Sequence, residues 1–358
     1  EGLTQQQRFG ARPFYVLGHN TNTLEEVRRA LEQGANALEP DINVYRHRTS
    51  ELCISHGRGD RGAPKLVDFL RQLHTLVAQR SSPLHLIVFD CKQPAATAAH
   101  GEAILNAVRE HLTYDNQLTV ILSVDKIAHA GMFDRIATRL GPREGLMIDA
   151  EDGAAQVVQA LNAHHVVAGG YGNGLSFLGR FTVPYFRESC AHACALRMSG
   201  NQPKFVYGWT VNDRRGMREF IRMGVDGLIT DDPRQLRAVM REFRHIRLAG
   251  RRDNPLRPAN FGYALKVHTA DIKRAGTDAR IRFTLRGAHG YASVEIDTEL
   301  VHRMERGDTN YLVLECENLG PLTHITVWRD NAGNAPGWRL TNVEVRSHRY
   351  GVAARAQF

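Results

Sequence analysis

The sequence predicts an α/β protein in which a (β/α)8 barrel is followed by an antiparallel β-sandwich. Up to about residue 240, eight short apolar runs alternate with helical patterns, which is the order of elements in a barrel. After about residue 260, segments of alternating polar and apolar residues are separated by Gly, Asn and Asp turns. The chain of 358 residues has room for both parts, since a barrel takes about 250 residues and a sandwich about 100.

The eight apolar runs are the expected barrel strands. They cover residues 14–18, 37–44, 86–90, 118–124, 145–150, 165–170, 205–211 and 227–231. Helical patterns lie between them, such as TLEEVRRALEQG after the first run and EDGAAQVVQALNAH after the fifth. Eight strands that are each followed by a helix or a long loop favour a parallel barrel. In such a barrel the chemistry lies at the mouth where the strands end.

The C-terminal part of the chain reads as a sandwich of short strands. Its alternating segments are YALKVHTA, RIRFTLRG, YASVEID, NYLVLECEN, HITVWRD and NVEVRSHRY. A stretch rich in Arg, Pro and Asn separates them from the barrel pattern. We therefore expect a barrel over residues 1–249, a linker over 250–260 and a sandwich over 261–358.

Composition limits the classes of partner. The formal net charge is +8, and residues 241–258 concentrate six Arg against two acidic residues. A basic surface attracts nucleic acid and anionic lipid headgroups alike, and it also serves general solubility. The sequence has no zinc knuckle, RNP-type aromatic stretch or recognition-helix pattern, so we expect lipid and no nucleic acid as the partner. It also has no run of about 18 apolar residues that would span a membrane.

Cysteine usage is a weak indicator of compartment. The five cysteines are an odd number and fit no common zinc spacing. Cys190 and Cys194 lie four residues apart in a predicted helix, where a disulfide would be strained. The first residues lack the basic and apolar pattern of a signal peptide, so the chain is expected to be either cytosolic or already processed.

Three carboxylates are placed at the ends of predicted strands. Glu39 and Asp41 lie on the second strand, and because residues i and i+2 of a strand face the same way, both are expected to point into the barrel mouth. Asp90 ends the third strand. An E-x-D pair alone is often a solvated strand end, but a third carboxylate favours a hard divalent cation, which relieves their mutual repulsion.

Two histidines and two further residues complete the predicted mouth. His19 ends the first strand and His56 follows the short run LCIS, and such a pair suits general acid and base catalysis near neutral pH. Lys92 is two residues past Asp90 and is expected either to neutralise a phosphate oxygen or to pair with the carboxylates. Trp209 either lines the pocket, where it would offer a cation–π contact to a quaternary ammonium group, or packs in the core.

Together these segments resemble the glycerophosphodiester phosphodiesterase superfamily, and within it the sphingomyelinase D/phospholipase D branch of spider venoms and some bacteria and fungi. The matching segments are LGHNTN, GANALEPDINV, SHG, VFDCK, YGWTVND and GVDGLITDDP. Asn20 stands where ordinary glycerophosphodiesterases carry an Arg, and D-C-K at Asp90 stands in place of their E-x-K. The segment RRDNPLRP resembles the tail that closes the barrel bottom in this branch, with Leu256 in place of an aromatic residue.

The resemblance implies a role for each of ten residues. They are Glu39, Asp41 and Asp90 as ligands of Mg²⁺, or of Ca²⁺ as a second candidate; His19 and His56 as the catalytic pair; and Lys92, Trp209, Asn22, Asp60 and Asp231 as substrate- or phosphate-binding residues. Asp60 matches an acidic residue that orients the second histidine, although its loop, HGRGDRGAP, is short and lacks the cysteines of the spider enzymes. Asp231 replaces an Asn that is usual there.

The C-terminal segments resemble a PLAT (lipoxygenase-homology) module, a class that binds membranes or protein partners. The A-G-T-D run after its first strand and the late D-N…P-x-W pattern carry this resemblance. Exposed aromatic or basic groups near Trp328 and Trp338 would insert at an interface, and burial of Trp338 is the alternative that we favour.

The implied activity is that of a secreted, monomeric, Mg²⁺-dependent phosphodiesterase whose signal peptide has been removed. It would release choline or ethanolamine from sphingomyelin or lysophospholipids. Attack by the lipid's own hydroxyl group would give a cyclic phosphate, and attack by water would give hydrolysis; one histidine would act as the acid, and the other as the base or as the nucleophile. Two alternatives stay open: a glycerophosphodiesterase acting on soluble deacylated diesters, and a non-catalytic lipid- or partner-binding protein.

Overall fold

A computed structural model shows a closed parallel barrel followed by two antiparallel sheets, which confirms the predicted fold class. It describes residues 11–149, 153–174, 184–200, 202–257, 262–296, 304–348 and 351–358, with residues 184–187 described by their backbone alone. No helix in these ranges is long and apolar enough to cross a membrane.

The barrel strands run parallel around a complete ring. The strands of this part of the chain are β1 (Arg12–Gly18), β2 (Ala37–Leu38), β3 (Asp41–Val44), β4 (Leu52–Ile54), β5 (Leu86–Cys91), β6 (Thr119–Val124), β7 (Glu144–Asp149), β8 (Gly169–Gly174), β9 (Phe205–Trp209), β10 (Gly227–Thr230) and β11 (Ile246–Leu248). From β5 each strand pairs with the next up to β10, β10 pairs with β1, and β2 pairs with both β1 and β5, which closes the ring. Strand β4 is antiparallel to β3, and β11 pairs with β1 outside the ring.

Helices cover the outside of the barrel. They are α1 (Leu24–Glu32), α2 (Leu66–Val77), α3 (Ala98–His111), α4 (Ala154–Ala163), α5 (Pro184–Met198), α6 (Arg214–Met223) and α7 (Pro233–Met240). Between β6 and β7 two 3₁₀ segments, Ile127–Phe133 and Ala137–Arg139, take the place of a helix. Thr23 and Asp232 cap the starts of α1 and α7, so the two loops that lead from β1 and β10 into these helices are short and held in place.

Two predicted strands differ from the observed ones. The run 37–44 is divided into β2 and β3 because Pro40 has no N–H to continue the ladder. The run predicted at 165–170 is wrong in position: His165 turns out of α4 at a φ of 58°, and the strand begins only at Gly169. Its glycines are needed for close packing, since a Cβ on Gly172 would lie 2.7 Å from the Tyr207 ring.

The bottom of the barrel is closed by the segment that follows β11. Leu256 is buried and packs with the side chains that fill the barrel interior. Asn254 donates a hydrogen bond to the Pro142 carbonyl at 2.9 Å, and Arg247 pairs with Asp253 at 2.7 Å. A leucine therefore occupies the place that the resemblance gives to an aromatic residue.

The C-terminal domain is a sandwich of seven described strands. They are β12 (Tyr263–Thr269), β13 (Ile281–Gly287), β14 (Gly290–Ile296), β15 (Thr309–Leu314), β16 (Leu322–Arg329), β17 (Leu340–Ser347) and β18 (Gly351–Gln357). One sheet has the order β15-β12-β17-β18 and the other β14-β13-β16, with antiparallel pairing throughout. Trp338 lies between the sheets, edge-on to Phe283, and donates to Thr269 at 3.1 Å.

The sandwich packs directly on helix α5 of the barrel. The rings of His192 and Tyr311 stack with centres 3.8 Å apart. Val313 belongs to the same apolar cluster as the residues under the barrel helices. Arg12, at the start of β1, forms an ion pair with Glu315 at 2.5 Å. All five cysteines are buried free thiols, so the contact between the domains is non-covalent.

Candidate active site

Three buried carboxylates meet at the mouth of the barrel. Glu39 lies at the break between β2 and β3, Asp41 begins β3, and Asp90 lies near the end of β5. Each offers an oxygen atom within 4.8 Å of the others. Asp41 and Asp90 are register partners in the parallel β3–β5 pair, so the sheet itself places them side by side.

The charges in this cluster depend strongly on one another. Burial, together with the charges of Asp41 and Asp90, raises the pKa of Glu39 well above its usual range. Burial also raises the pKa of Asp90. Burial opposes ionisation of Asp41 too, but a hydrogen bond from His56 and the charge of Lys92 lower its pKa. For Lys92 the penalty of burial is outweighed by Asp90 and Asp41, which raise the pKa of the ammonium group.

The residues present fit a hard divalent cation. When all three carboxyl groups are ionised, the single ammonium group of Lys92 leaves two negative charges in a buried cluster. Oδ1 of Asp90 is buried and has no hydrogen-bond partner among the described residues, although an unpaired acceptor is costly in the interior. An ion such as Mg²⁺ or Ca²⁺ carries the missing charge and binds oxygen atoms.

The loop after β1 holds two of these carboxylates in place. Asn22 donates from Nδ2 to Asp41 at 2.8 Å, and its Oδ1 accepts from the Asp41 N–H at 2.7 Å. Asn20 adopts a φ of 48°, in the left-handed region that Asn tolerates, and donates its N–H to Glu39 at 3.1 Å. The side chain of Asn22 is thus hydrogen-bonded to Asp41, a predicted metal ligand, and holds its carboxylate in position.

Each catalytic histidine of the prediction lies beside a carboxylate. Nδ1 of His56 is 3.3 Å from Asp41 Oδ1, and this hydrogen bond raises the pKa of the imidazole. Nδ1 of His19 is 2.7 Å from Asp231 Oδ1. Asp60, predicted to orient His56, instead accepts a hydrogen bond from the Gly62 N–H at 2.8 Å. The structure therefore brings Asp41, and not Asp60, to His56.

Lys92 bridges two of the carboxylates. Its Nζ lies 3.0 Å from Asp41 Oδ1 and hydrogen-bonds to Asp90 Oδ2. The side chain is about one fifth exposed, at 21%. Both interpretations of Lys92 are thus compatible, because an ammonium group paired with the carboxylates also faces the open mouth.

Asp149 is a site residue that sequence reasoning missed. It is the last residue of β7, and its carboxyl group accepts hydrogen bonds from Tyr207 at 2.5 Å and from the indole N–H of Trp209. Burial, together with the charge of Asp90, raises the pKa of Asp149 to about 7. In the sequence, the run GLMIDA places Asp149 at the end of a predicted strand, as for Asp90, and this position could have identified it as a site residue. Trp209 itself is partly exposed above the barrel interior.

Comparisons with known proteins agree with this architecture. The family model described as "Dermonecrotic toxin SPH" matches residues 9–256, and the PLAT/LH2 domain model matches residues 263–354. The chain is 27% identical over 279 residues to "Dermonecrotic toxin SPH" of Ixodes scapularis, covering 68% of this chain and 76% of that protein. It is 26% identical over 287 residues to "Dermonecrotic toxin Hl-PLD1" of Hemiscorpius lepturus, covering 71% and 87%.

Among solved structures, a glycerophosphodiester phosphodiesterase from Parabacteroides distasonis is similar at 16% identity and a TM-score of 0.46, covering 65% of this chain and 99% of that one. The sequence matches confirm the resemblance drawn from the motifs. Since the first family model spans well over half of the residues, the chain belongs to the dermonecrotic toxin SPH family, with a PLAT domain after the barrel.

Proposed function

We propose that the protein is a secreted, Mg²⁺-dependent phosphodiesterase of the phospholipase D type that acts on choline or ethanolamine phospholipids. The observation that carries this proposal is the buried triad Glu39, Asp41 and Asp90, with His19 and His56 at the same mouth. Secretion is supported by the similarity to proteins named as toxins. The domain limits 1–249, 250–260 and 261–358 remain part of this proposal, and residues 258–261 lie outside the described ranges.

The triad and Lys92 would hold the phosphate group. When bound to the three carboxylates, a divalent ion supplies Lewis-acid stabilisation of phosphoryl oxygens. The ammonium group of Lys92, fixed between Asp41 and Asp90, would donate to a phosphoryl oxygen from the same side. Because both charges are in place before the substrate arrives, little reorganisation is needed as charge develops on the phosphorus group.

The two histidines suit opposite proton transfers. His56, whose cationic form is stabilised by Asp41, would protonate the headgroup oxygen as its bond to phosphorus breaks. His19 would take the proton of the attacking hydroxyl group as the new O–P bond forms. The lipid's own hydroxyl as attacker gives a cyclic phosphate and a free headgroup alcohol, whereas water gives the acyclic phosphate.

Asp149 supports a preference for cationic headgroups. The buried carboxyl group fixes the Trp209 indole through its N–H. A pKa of about 7 leaves the anionic form well populated near neutral pH. An indole backed by a carboxylate is a favourable contact for choline or ethanolamine, and a neutral glycerol headgroup would gain nothing from it. This observation favours diesters with a choline or ethanolamine headgroup over diesters with a neutral headgroup, and it applies equally to lipids and to glycerophosphocholine.

Phosphorus NMR tests the proposed reaction directly. The protein is incubated with lysophosphatidylcholine and sphingomyelin, in Mg²⁺ and in EDTA. We expect choline release together with a cyclic-phosphate signal, and loss of both in EDTA. Cleavage of glycerophosphocholine without any cleavage of the two lipids would instead establish the soluble-diester activity. Binding to liposomes without turnover of any diester would establish the non-catalytic alternative.

We also propose that the PLAT domain contacts the membrane through the outer face of its three-stranded sheet. Trp328 on β16 is 47% exposed, and the Arg282 guanidinium lies 5.1 Å from its ring centre. Arg286 lies 5.4 Å from the ring centre of Tyr291 in the same sheet. Aromatic rings next to arginines suit the headgroup layer of an anionic membrane.

The change Arg286→Ala is expected to weaken binding to anionic vesicles about fivefold, since one Arg near such a surface contributes about 1 kcal/mol. Co-sedimentation with vesicles of sphingomyelin and phosphatidylserine measures this change. Arg71→Ala, which removes the same charge from a largely exposed position on α2, is the matched control. Equal weakening by both variants would mean that net charge, rather than this face, drives binding.

A further inference from the structure

The surroundings of Asp231 show that each of its two oxygens accepts one hydrogen bond. Oδ1 faces Nδ1 of His19 at 2.7 Å, and Oδ2 accepts from Nδ2 of Asn212 at 2.5 Å. Asp231 is followed directly by Asp232, which caps α7. The carboxylate therefore lies between the imidazole of His19 and the amide of Asn212. The backbone of Asp231 is fixed because the next residue caps the start of α7.

The orientation of the Asn212 amide is fixed by its other contacts. Its Oδ1 lies 2.9 Å from the Asp231 N–H, which can only donate. The same oxygen accepts from the Thr230 hydroxyl at 3.0 Å, and that hydroxyl in turn accepts from the Asp232 N–H. The amide oxygen must therefore point to the backbone, which leaves the amide N–H pointing to the carboxylate.

The carboxylate in turn decides where the proton of a neutral His19 lies. An ionised carboxylate only accepts hydrogen bonds, so Nδ1 of His19 must carry the hydrogen. Nε2 then keeps its lone pair. Among the described residues, Nε2 of His19 makes no hydrogen bond. The ring thus presents its proton-accepting nitrogen away from Asp231.

We propose that Asp231 is a positioning residue, which holds His19 in the tautomer that can accept a proton, and that Asn212 holds Asp231 in turn. This inference rests on the proposed function only in giving His19 the role of base. It changes the role of Asp231 from the one that the family resemblance implied. Asp231 acts through His19 and does not need to touch the substrate.

The proposal makes a sharp prediction for Asp231→Asn. In the wild type, the N–H groups of His19 and Asn212 face the two acceptor oxygens of Asp231. The amide of an asparagine has only one acceptor oxygen, so one of the two N–H groups loses its acceptor. If the new NH₂ group turns towards His19, the ring must present the lone pair of Nδ1 and move its hydrogen to Nε2. The same substitution in the serine protease triad lowers kcat about 10⁴-fold through the wrong tautomer. Here we expect a loss of kcat of about a hundredfold or more, with KM within about twofold.

The double variant Asn212→Asp/Asp231→Asn is expected to restore much of this loss. A carboxylate at position 212 still accepts from the backbone N–H and from Thr230, and it now also accepts from the new amide N–H. The carbonyl oxygen of that amide then faces Nδ1 of His19, as in the wild type. We expect kcat to recover by about tenfold or more relative to the single variant.

The chain offers a matched control pair far from the mouth. Nδ1 of His164 lies 2.6 Å from Asp134, whose side chain is 58% exposed against 59% for Asp231. His164 follows the C-terminal end of α4, which lies at the opposite end of the barrel from the strand ends. We expect Asp134→Asn to leave kcat unchanged.

Nitrogen NMR of ¹⁵N-histidine protein provides a readout that does not depend on turnover. At alkaline pH the wild-type His19 signal, assigned by its loss in His19→Ala, should show hydrogen on Nδ1. Asp231→Asn should move it to Nε2, and the double variant should return it. A wild-type protein that cleaves no phosphodiester would refute the proposed function and leave this tautomer result intact. An unchanged tautomer in Asp231→Asn, a kcat within about twofold of wild type, or no recovery in the double variant would each overturn the inference.

Discussion

Replacing Glu39 with Gln is expected to abolish turnover and, in EDTA, to raise the melting temperature. Three buried carboxylates face one ammonium group, and removing one negative charge relieves their repulsion. Turnover should fall at least about 1000-fold, because several kcal/mol of charge stabilisation are lost. The gain in melting temperature should be about 2 °C or more for each kcal/mol of repulsion removed.

Thermal melts with Mg²⁺ and with EDTA measure the second effect. Mg²⁺ should raise the melting temperature of the wild type and have little effect on Glu39→Gln. Folding raises the pKa of Glu39, so ionisation of this group opposes folding at neutral pH. The free energy of unfolding that is lost in this way is regained as the pH falls and the group becomes protonated in both states. The difference between the two proteins should therefore shrink towards about pH 4. Glu25→Gln, at an exposed position on α1, is the control; a wild type insensitive to Mg²⁺ would count against the metal site.

The second large effect is expected for His56→Ala, and its size should depend on the leaving group. A choline or ethanolamine alkoxide needs a proton to leave, and loss of a general acid costs about 10²- to 10⁴-fold. A p-nitrophenyl diester that keeps the attacking hydroxyl group needs no such proton. We therefore expect His56→Ala to lose about 1000-fold on the lipid and about tenfold or less on the analogue.

The variant His19→Ala supplies the comparison. A base that activates the attacking hydroxyl group is needed for both substrates, so this variant should lose turnover on the lipid and on the analogue alike. Initial rates of choline and p-nitrophenol release measure the two reactions. Equal losses on both substrates for His56→Ala would show that His56 is not the acid.

Much of the fold follows from patterns within single segments. The runs at 86–90 and 118–124 are apolar over most of their length, as is typical of strands buried on both faces, and both are strands in the structure. Strand β8 was misplaced because glycine is rare in strands, and the reason for its glycines lies in side chains of β7 and β9. Strand β11 was missed because three residues carry no periodic pattern.

For the candidate site too, some features could be predicted from single segments and others could not. Carboxylates on neighbouring predicted strands, such as Asp41 and Asp90, could be grouped from the sequence, because parallel strands bring the same end of each strand to the barrel mouth. Particular hydrogen-bond partners could not be predicted, because the contacts of His19 with Asp231 and of Trp209 with Asp149 depend on side-chain directions across the mouth. Asp60 is close to His56 in the sequence, but its carboxylate accepts a hydrogen bond from Gly62 and not from His56.

Helix α5 has a further consequence for how the enzyme meets its substrate. Its buried residues include Cys190, Ala191 and Cys194, small side chains that let neighbouring elements approach closely. On the far side its His192 stacks on the sandwich, so the helix is enclosed between the two domains. The sandwich is therefore not a tethered module that searches freely for a surface. A surface bound by the sandwich would meet the barrel mouth at one fixed angle and height, so the orientation of the lipid would be set before chemistry begins.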